Sequence, residues 1–146
     1  MTRNATARKS GQASKTLNRL PYLADALLRF NLPNELLQLR NEDSWQRETG
    51  RSSKTLAKYP DFRIVLVLMK IGTQMKEHHA DARLSIQALQ GKIRIHLPDQ
   101  RVDLAAGELM ALDCSIPHDV EALEESAFII TISWPEGTTE ERHNAR

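Results

Sequence analysis

The sequence predicts an all-β domain, a closed or rolled barrel preceded by short N-terminal helices. From Lys54 to Trp134, about seven or eight short apolar runs follow one another at roughly 8–12-residue spacing, with turn residues between them. No alternation of strands and helices of the βαβ type interrupts the series. A closed barrel is favoured because it protects strand edges without a disulfide, and the chain has a single cysteine.

Length and charge limit the function classes. A chain of 146 residues is long enough for one domain with one core. Lys and Arg number 20 against 19 Asp and Glu, and a formal charge of +1 gives no electrostatic argument for nucleic acid. The lone Cys114 favours a reducing cytoplasm over secretion, and no apolar window has the length of a membrane helix. We therefore expect a cytoplasmic protein without a membrane partner.

The distribution of apolar residues divides the chain into four segments. Residues 1–16 are basic and polar, with too few apolar residues to offset the entropy of ordering, so we expect a disordered tail. Residues 17–49 form a helical N-terminal segment, 50–136 the barrel, and 137–146 a polar tail.

The N-terminal segment carries two helix-like patterns. LPYLADALLRF places Leu23, Leu27 and Phe30 on one helical face. LPNELLQLR begins with Pro33 and Asn34, which suit a first helical turn, and three leucines follow. These patterns predict two short helices, or one helix and a turn.

The barrel segment contains two kinds of strand. FRIVLVLMKI is apolar throughout, which predicts a strand buried on both faces. KIRIHL alternates charged and aliphatic residues, which predicts one buried and one exposed face. The other predicted strands are KTLAKY, LSIQAL, RVDL, ELMAL, DVEAL and AFIITISW.

Two of the five histidines are candidates for a shared site. Strand alternation puts His78 on the face of Lys76 and Ala80, and puts His79 on the opposite face. One of these adjacent histidines therefore faces the barrel interior. His118 begins a later strand, where the mouth of a barrel is expected. The other candidates have structural interpretations: a surface imidazole at His96, a polar-tail residue at His143, and a small apolar residue at Cys114.

The stretch GTQMKEHHADARLSIQALQG resembles the first cupin motif, G-x5-H-x-H-x3-E-x6-G. Its five marked positions hold Gly72, His78, Ala80, Leu84 and Gly91. Both framing glycines and the first histidine are kept. The second histidine and the glutamate are replaced.

The second cupin motif, G-x5-P-x-G-x2-H-x3-N, aligns from Gly107. Its remaining positions hold Asp113, Ser115, His118 and Ala122, so the opening glycine and the histidine are kept. The two motifs in order imply a double-stranded β-helix, the jelly-roll-like barrel of the cupin superfamily. The resemblance covers roughly residues 60–135 and leaves the N-terminal helices as an addition.

In cupins, three histidines and a glutamate hold a divalent metal, and only His78 and His118 carry over as ligands. Ala80 has no lone pair to offer, and Leu84 is apolar. Catalytic zinc sites usually have three protein ligands. The resemblance therefore implies at most a weakly bound divalent transition metal, and the cofactor is otherwise open.

Three function classes remain. The favoured one is a non-catalytic cupin that binds a small molecule of unknown identity in a pocket of His78, His118 and Lys76, where the lysine suits an anionic ligand. The second is a metal-dependent oxygenase or isomerase, against which the missing ligands argue. The third is a dimeric interaction or regulatory module. We expect a homodimer paired through the apolar strands FRIVLVLMKI and AFIITISW.

Overall fold

The computed structural model describes residues 23–46, 50–78 and 81–135, and this part of the chain is mostly β-strand, as predicted. The predicted tails and the start of the helical segment lie outside it. The nine strands of the described part are β1 (Arg51–Tyr59), β2 (Phe62–Met69), β3 (Gln74–His78), β4 (Arg83–Gln90), β5 (Lys92–His96), β6 (Arg101–Ala105), β7 (Leu109–Leu112), β8 (His118–Ala122) and β9 (Ser126–Ser133).

The strands form two antiparallel sheets. One sheet has the order β1-β2-β9-β4-β7 and the other β3-β8-β5-β6. Consecutive strands therefore cross repeatedly from one sheet to the other, which is the topology of a jelly-roll barrel. The all-β, double-stranded β-helix prediction is confirmed.

Strand β2 is buried on both faces, as its sequence predicts. Val67 and Met69 point into the barrel and belong to an interior cluster. Leu66 and Leu68 point outward into a second, outer cluster. The interior cluster consists of Val67, Met69, Ile86, Ala88, Ile93, Ile95, Leu104, Val120, Ala122 and Phe128.

Helix α1 (Leu32–Arg40) covers the outer face of the five-stranded sheet. Asn31 caps it by accepting a hydrogen bond from the Asn34 main-chain N–H at 3.0 Å. Leu36 and Leu39 pack into the outer cluster together with Trp45 of the short helix α2 (Asp43–Gln46). No helix of the described ranges has the length and apolar character needed to cross a membrane.

The described part of the other helix-like pattern does not form a helix. Residues 23–30 have irregular and turn structure, and the first three residues of the pattern lie outside the described ranges. The physical reason is a missing partner: Leu27 is 80% exposed, whereas Phe30 packs on the outer cluster. A helical face that packs against nothing gains too little to form.

The outer cluster also bears on the predicted homodimer. Leu66, Leu68 and Ala127 are fully buried beneath the helices of the same chain. The homodimer stays a prediction, but these apolar side chains of β2 and β9 are not available to a second copy.

The barrel has two different ends. At one, here called the closed end, turns join β2 to β3, β4 to β5, β6 to β7 and β8 to β9. At the other, here called the mouth, the remaining connections meet. Interior residues near the closed end, such as Met69 and Phe128, are 0% exposed. Those nearest the mouth, such as Val65, Leu84 and Leu97, are only partly buried. The barrel interior therefore opens toward the mouth.

Candidate functional site at the mouth of the barrel

His118 is the buried polar residue at the mouth. It begins β8, and its side chain is on the interior face with Val120 and Ala122. The residue is 7% exposed, and its Nδ1–H donates to the Ile116 carbonyl oxygen at 3.0 Å. A carbonyl can only accept, so this hydrogen bond places the proton on Nδ1. In the neutral ring Nε2 then carries the lone pair and can accept a hydrogen bond.

The two histidines selected from the sequence are neighbours in the fold. His78 is the register partner of His118 across the antiparallel pair β3 and β8. Directly opposite residues of an antiparallel pair are neighbours, so the two residues lie close together in space.

Lys76 does not join this pair. The register runs from Met75 opposite Val120 to His78 opposite His118, so the two intervening residues of β3 lie opposite a single residue of β8. Such an irregularity is a β-bulge, and it breaks the simple alternation of faces. Met75 packs against the interior cluster while Lys76 is exposed. The assignment of Lys76 to the pocket relied on strict alternation, and its exposed position argues against that role.

Of the two replaced positions of the first motif, Ala80 and Leu84, the structure describes only Leu84. Ala80 and the adjacent His79 lie outside the described residues. Leu84 of β4 is partly buried and packs against the interior cluster. An apolar side chain therefore lies at the position where the cupin motif has its glutamate.

Ion pairs and hydrogen bonds tie the loops around the mouth. Arg83 Nε lies 3.0 Å from Asp113 Oδ1, and the Ser115 hydroxyl donates to Asp81 at 2.9 Å. The main-chain N–H of Cys114 and, to a smaller extent, Arg83 hold the pKa of Asp113 below its usual value. Ser115 occupies the inner-glycine position of the second motif and has a φ of +63°, a left-handed conformation that glycine adopts more easily.

The sequence analysis missed Arg63, which lies at the mouth on the interior face of β2. Alternation puts it on the face of Val65 and Val67. Its guanidinium carbon lies 5.4 Å from the centre of the Trp134 ring, a cation–π contact. Desolvation lowers the pKa of Arg63. The period-two alternation of F-R-I-V-L-V-L-M places Arg63 on the face of Val65 and Val67. Because both faces of the strand are apolar, the sequence did not show which of them is interior.

The residues that the structure describes do not fit the metal site that the resemblance implies. The described residues contain no group of three or more His, Cys, Asp or Glu side chains arranged to hold a metal ion. Leu84 provides no ligand atom where the motif has a carboxylate. The described donor set therefore falls short of the three protein ligands of a typical catalytic site.

His96 lies on the outer face of the barrel, as predicted. Its Nε2 is 2.9 Å from Glu121 Oε1, and its side chain is 32% exposed. Nearby, Arg94 Nε pairs with Asp103 Oδ1 at 2.7 Å. The outer face of the four-stranded sheet is thus polar, in contrast to the interior face that carries His118.

Solved structures of other proteins are similar to this chain in fold. No family model matches the sequence, and no curated protein matches it. Among solved structures, an RmlC-like cupin from Shewanella frigidimarina is 15% identical, with a TM-score of 0.61 over 79% of this chain and 96% of that one. A cupin superfamily protein from Desulfitobacterium hafniense is 20% identical, with a TM-score of 0.59 over 61% and 82%.

A third similar structure is KdgF from a Halomonas species, 24% identical with a TM-score of 0.56 over 61% of this chain and 84% of that one. The chain thus has the cupin fold, and the resemblance drawn from the two motifs is confirmed at the level of fold. At these identities the likeness establishes architecture alone, and function must be argued from the site.

Proposed function

We propose that this cupin-fold protein is a small-molecule-binding protein whose pocket lies at the barrel mouth around His78 and His118. The observation that carries the proposal is the buried imidazole of His118, fixed through Nδ1 and located where the interior becomes partly exposed. Small-molecule sites typically combine an apolar lining with a few well-placed polar groups.

The apolar lining comes from side chains that the fold leaves half covered. Val65, Leu84 and Ile130 pack against the interior cluster but are only partly buried. A ligand that covers them gains about 25 cal/mol for each Å² of apolar surface removed from water. The fully buried interior side chains toward the closed end, such as Met69 and Phe128, offer no such gain.

The polar element is the histidine pair. Directly opposite residues of an antiparallel pair have Cβ atoms about 4.5–5.5 Å apart. In the proposal, the imidazole of His118 contacts the polar group of the ligand, and His78 is its register partner on β3. The Ile116 main-chain carbonyl accepts from Nδ1–H of His118 and orients the ring, which leaves Nε2 to meet the polar group of the ligand.

Histidine-ring NMR tests the proposal with hexan-1-ol, a neutral probe that has an apolar chain and one hydroxyl group. We expect saturable shifts of the His118 ring signals as the probe is added. His96 is an internal control, because its ring lies on the outer face and pairs with Glu121. Equal, non-saturating shifts of His118 and His96, or no shift at His118, would contradict a pocket at the mouth.

A further inference from the structure

We infer that the ligand of this pocket is a small neutral molecule that donates an O–H or N–H hydrogen bond to Nε2 of His118. The inference rests on the proposed function and adds the chemical class of the ligand. Alcohols and amides belong to this class. Ethers, ketones and carboxylates do not, because they only accept hydrogen bonds.

The first support is the tautomer of His118. Its Nδ1–H donates to the Ile116 carbonyl oxygen at 3.0 Å, so the neutral ring has its lone pair at Nε2. Donor and acceptor belong to one short segment, since only Pro117 separates the two residues. The proline ring fixes its own φ angle and so restricts the position of the carbonyl relative to the imidazole. The pocket therefore presents a hydrogen-bond acceptor at this nitrogen.

The second support is that this acceptor is unused. Among the described residues, the Ile116 carbonyl is the hydrogen-bond partner of the His118 ring, and Nε2 has none. The Ser126 hydroxyl, toward the closed end, shows the contrast. It accepts from the Lys92 main-chain N–H at 3.1 Å and lies within donating distance of two main-chain carbonyl oxygens. Both side chains are buried, and a buried acceptor without a partner is unfavourable, so a donor on the ligand would remove that penalty at Nε2.

The third support is the apolar surroundings of the acceptor. Val120 shares the interior face of β8 with His118, and Val65 and Leu84 are partly buried against the same interior cluster. An ether or carboxylate oxygen at Nε2 would bring two lone pairs together in surroundings of low dielectric, where their repulsion is strong. An ammonium group could donate, but it would lose hydration that apolar side chains do not replace. A neutral donor avoids both penalties.

Two probes with the same number of non-hydrogen atoms, hexan-1-ol and methyl pentyl ether, test the inference on the full chain. Both have one oxygen and an apolar chain, but only the alcohol has an O–H. Methyl-group NMR of Val65 and Leu84 at about pH 8.5, where the histidine side chain in water is neutral, measures both affinities. We expect hexan-1-ol to bind roughly ten- to a hundredfold more tightly, because the ether leaves the acceptor unpaired.

The nitrogen-15 signals of the His118 ring provide a second readout on the wild type. In the free protein, Nε2 should have the shift of an unprotonated nitrogen and Nδ1 that of a protonated one. Addition of hexan-1-ol should move the Nε2 signal in the direction of a nitrogen that accepts a hydrogen bond, and the ether should not.

His118→Phe removes the acceptor and keeps an aromatic ring, so it should abolish the preference for hexan-1-ol and leave ether binding nearly unchanged. His96→Phe is the matched control, since it makes the same change on the outer face of the barrel. We expect it to retain the wild-type preference. The two wild-type measurements decide the inference even if His118→Phe does not fold.

Equal affinity of the wild type for the two probes, or tighter binding of the ether, would overturn the inference. So would an unchanged preference in His118→Phe, or loss of both probes in that variant when folded, which would make His118 a support of the pocket. In these cases the wild type still binds a probe and the proposed function stands. A proton on Nε2 of the neutral ring would overturn the inference alone. Binding of neither probe to the wild type would overturn both proposals.

Discussion

The two ends of the barrel use the same strands but different turns. The closed-end turns contain Gly72, Gly91 and Gly107, all with φ between +75° and +92°. The mouth connections instead contain side-chain-bearing residues, and Ser115 among them takes φ +63° despite its Cβ. Three closed-end turns thus depend on glycine conformations, whereas the mouth connections carry side chains at every position.

The interior side chains show the same division. Toward the closed end they are fully buried aliphatic and aromatic groups, as at Ile93 and Phe128. Toward the mouth the apolar side chains are partly buried, as at Val65 and Leu84, and two polar residues lie among them, the partly buried Arg63 and the buried His118. The closed end of the interior is therefore the more completely packed of the two, and the proposed binding site lies at the other end.

The largest expected effect comes from placing a glutamate at either of two interior positions of β4, Ile86 or Leu84. Ile86 is 0% exposed, so Ile86→Glu should cost at least about 4 kcal/mol of unfolding free energy or prevent folding, because a buried carboxylate has no partner there. Leu84→Glu, two residues nearer the mouth on the same face, should cost about 1–2 kcal/mol. Urea unfolding measures both. Equal losses of unfolding free energy would mean that the interior tolerates a carboxylate no better at Leu84 than at Ile86.

A smaller effect is expected at the glycines of the closed end. A Cβ at Gly91 would collide with the Glu125 carbonyl oxygen, whereas one at Gly107 would meet nothing within 4 Å. Both have positive φ, so Gly107→Ala should cost about 1 kcal/mol from backbone strain alone. Gly91→Ala should cost about 2–4 kcal/mol, since main-chain atoms must also move. Thermal and urea unfolding of the two variants compare these costs; a reversed order would contradict the role given to the Gly91 turn.

The mouth should show a small pH-dependent contribution through Asp113. Its pKa is lowered in the folded protein, so the unfolded chain takes up the proton first as pH falls. The stabilisation is therefore fully present above the ordinary value of 3.8 and is lost as pH falls through the lowered folded value. Asp113→Asn should lower the melting temperature at pH 6. At pH values below the lowered folded pKa of Asp113, its melting temperature should equal that of the wild type.

Arg83→Met separates the two causes of that shift. It removes the ion pair but leaves the main-chain hydrogen bond from Cys114, the larger cause. Arg83→Met should therefore lower the melting temperature at pH 6 by less than Asp113→Asn does. If the difference in melting temperature between the wild type and Asp113→Asn stays constant with pH, the carboxylate charge contributes nothing to stability.

The smallest expected effect is the response to metal. Because Leu84 replaces the carboxylate of the motif, added Zn²⁺ or Mn²⁺ should leave the wild-type melting temperature unchanged. Leu84→Glu supplies a carboxylate at that position and should gain a metal-dependent increase. Stoichiometric metal in protein purified without chelator, lost in His78→Ala, would contradict the expectation that the mouth binds no metal.

The sequence predicted the fold well because strand spacing and the two motifs are local patterns. The motifs also selected His78 and His118, which the structure pairs across β3 and β8. The bulge between Met75 and His78 was not predictable, since an extra residue in a strand changes alternation without changing composition. Arg63 was missed because β2 is apolar on both faces. Leu27 lacked a packing partner, which no local pattern reveals.

Methyl-group NMR during a hexan-1-ol titration tests the central claim most directly, because it reports on both ends of the interior at once. We predict saturable shifts at Val65, Leu84 and Ile130 near the mouth, with Met69 and Ile93 toward the closed end unchanged. Shifts spread evenly along the interior, or found only toward the closed end, would contradict the assignment of binding to the mouth.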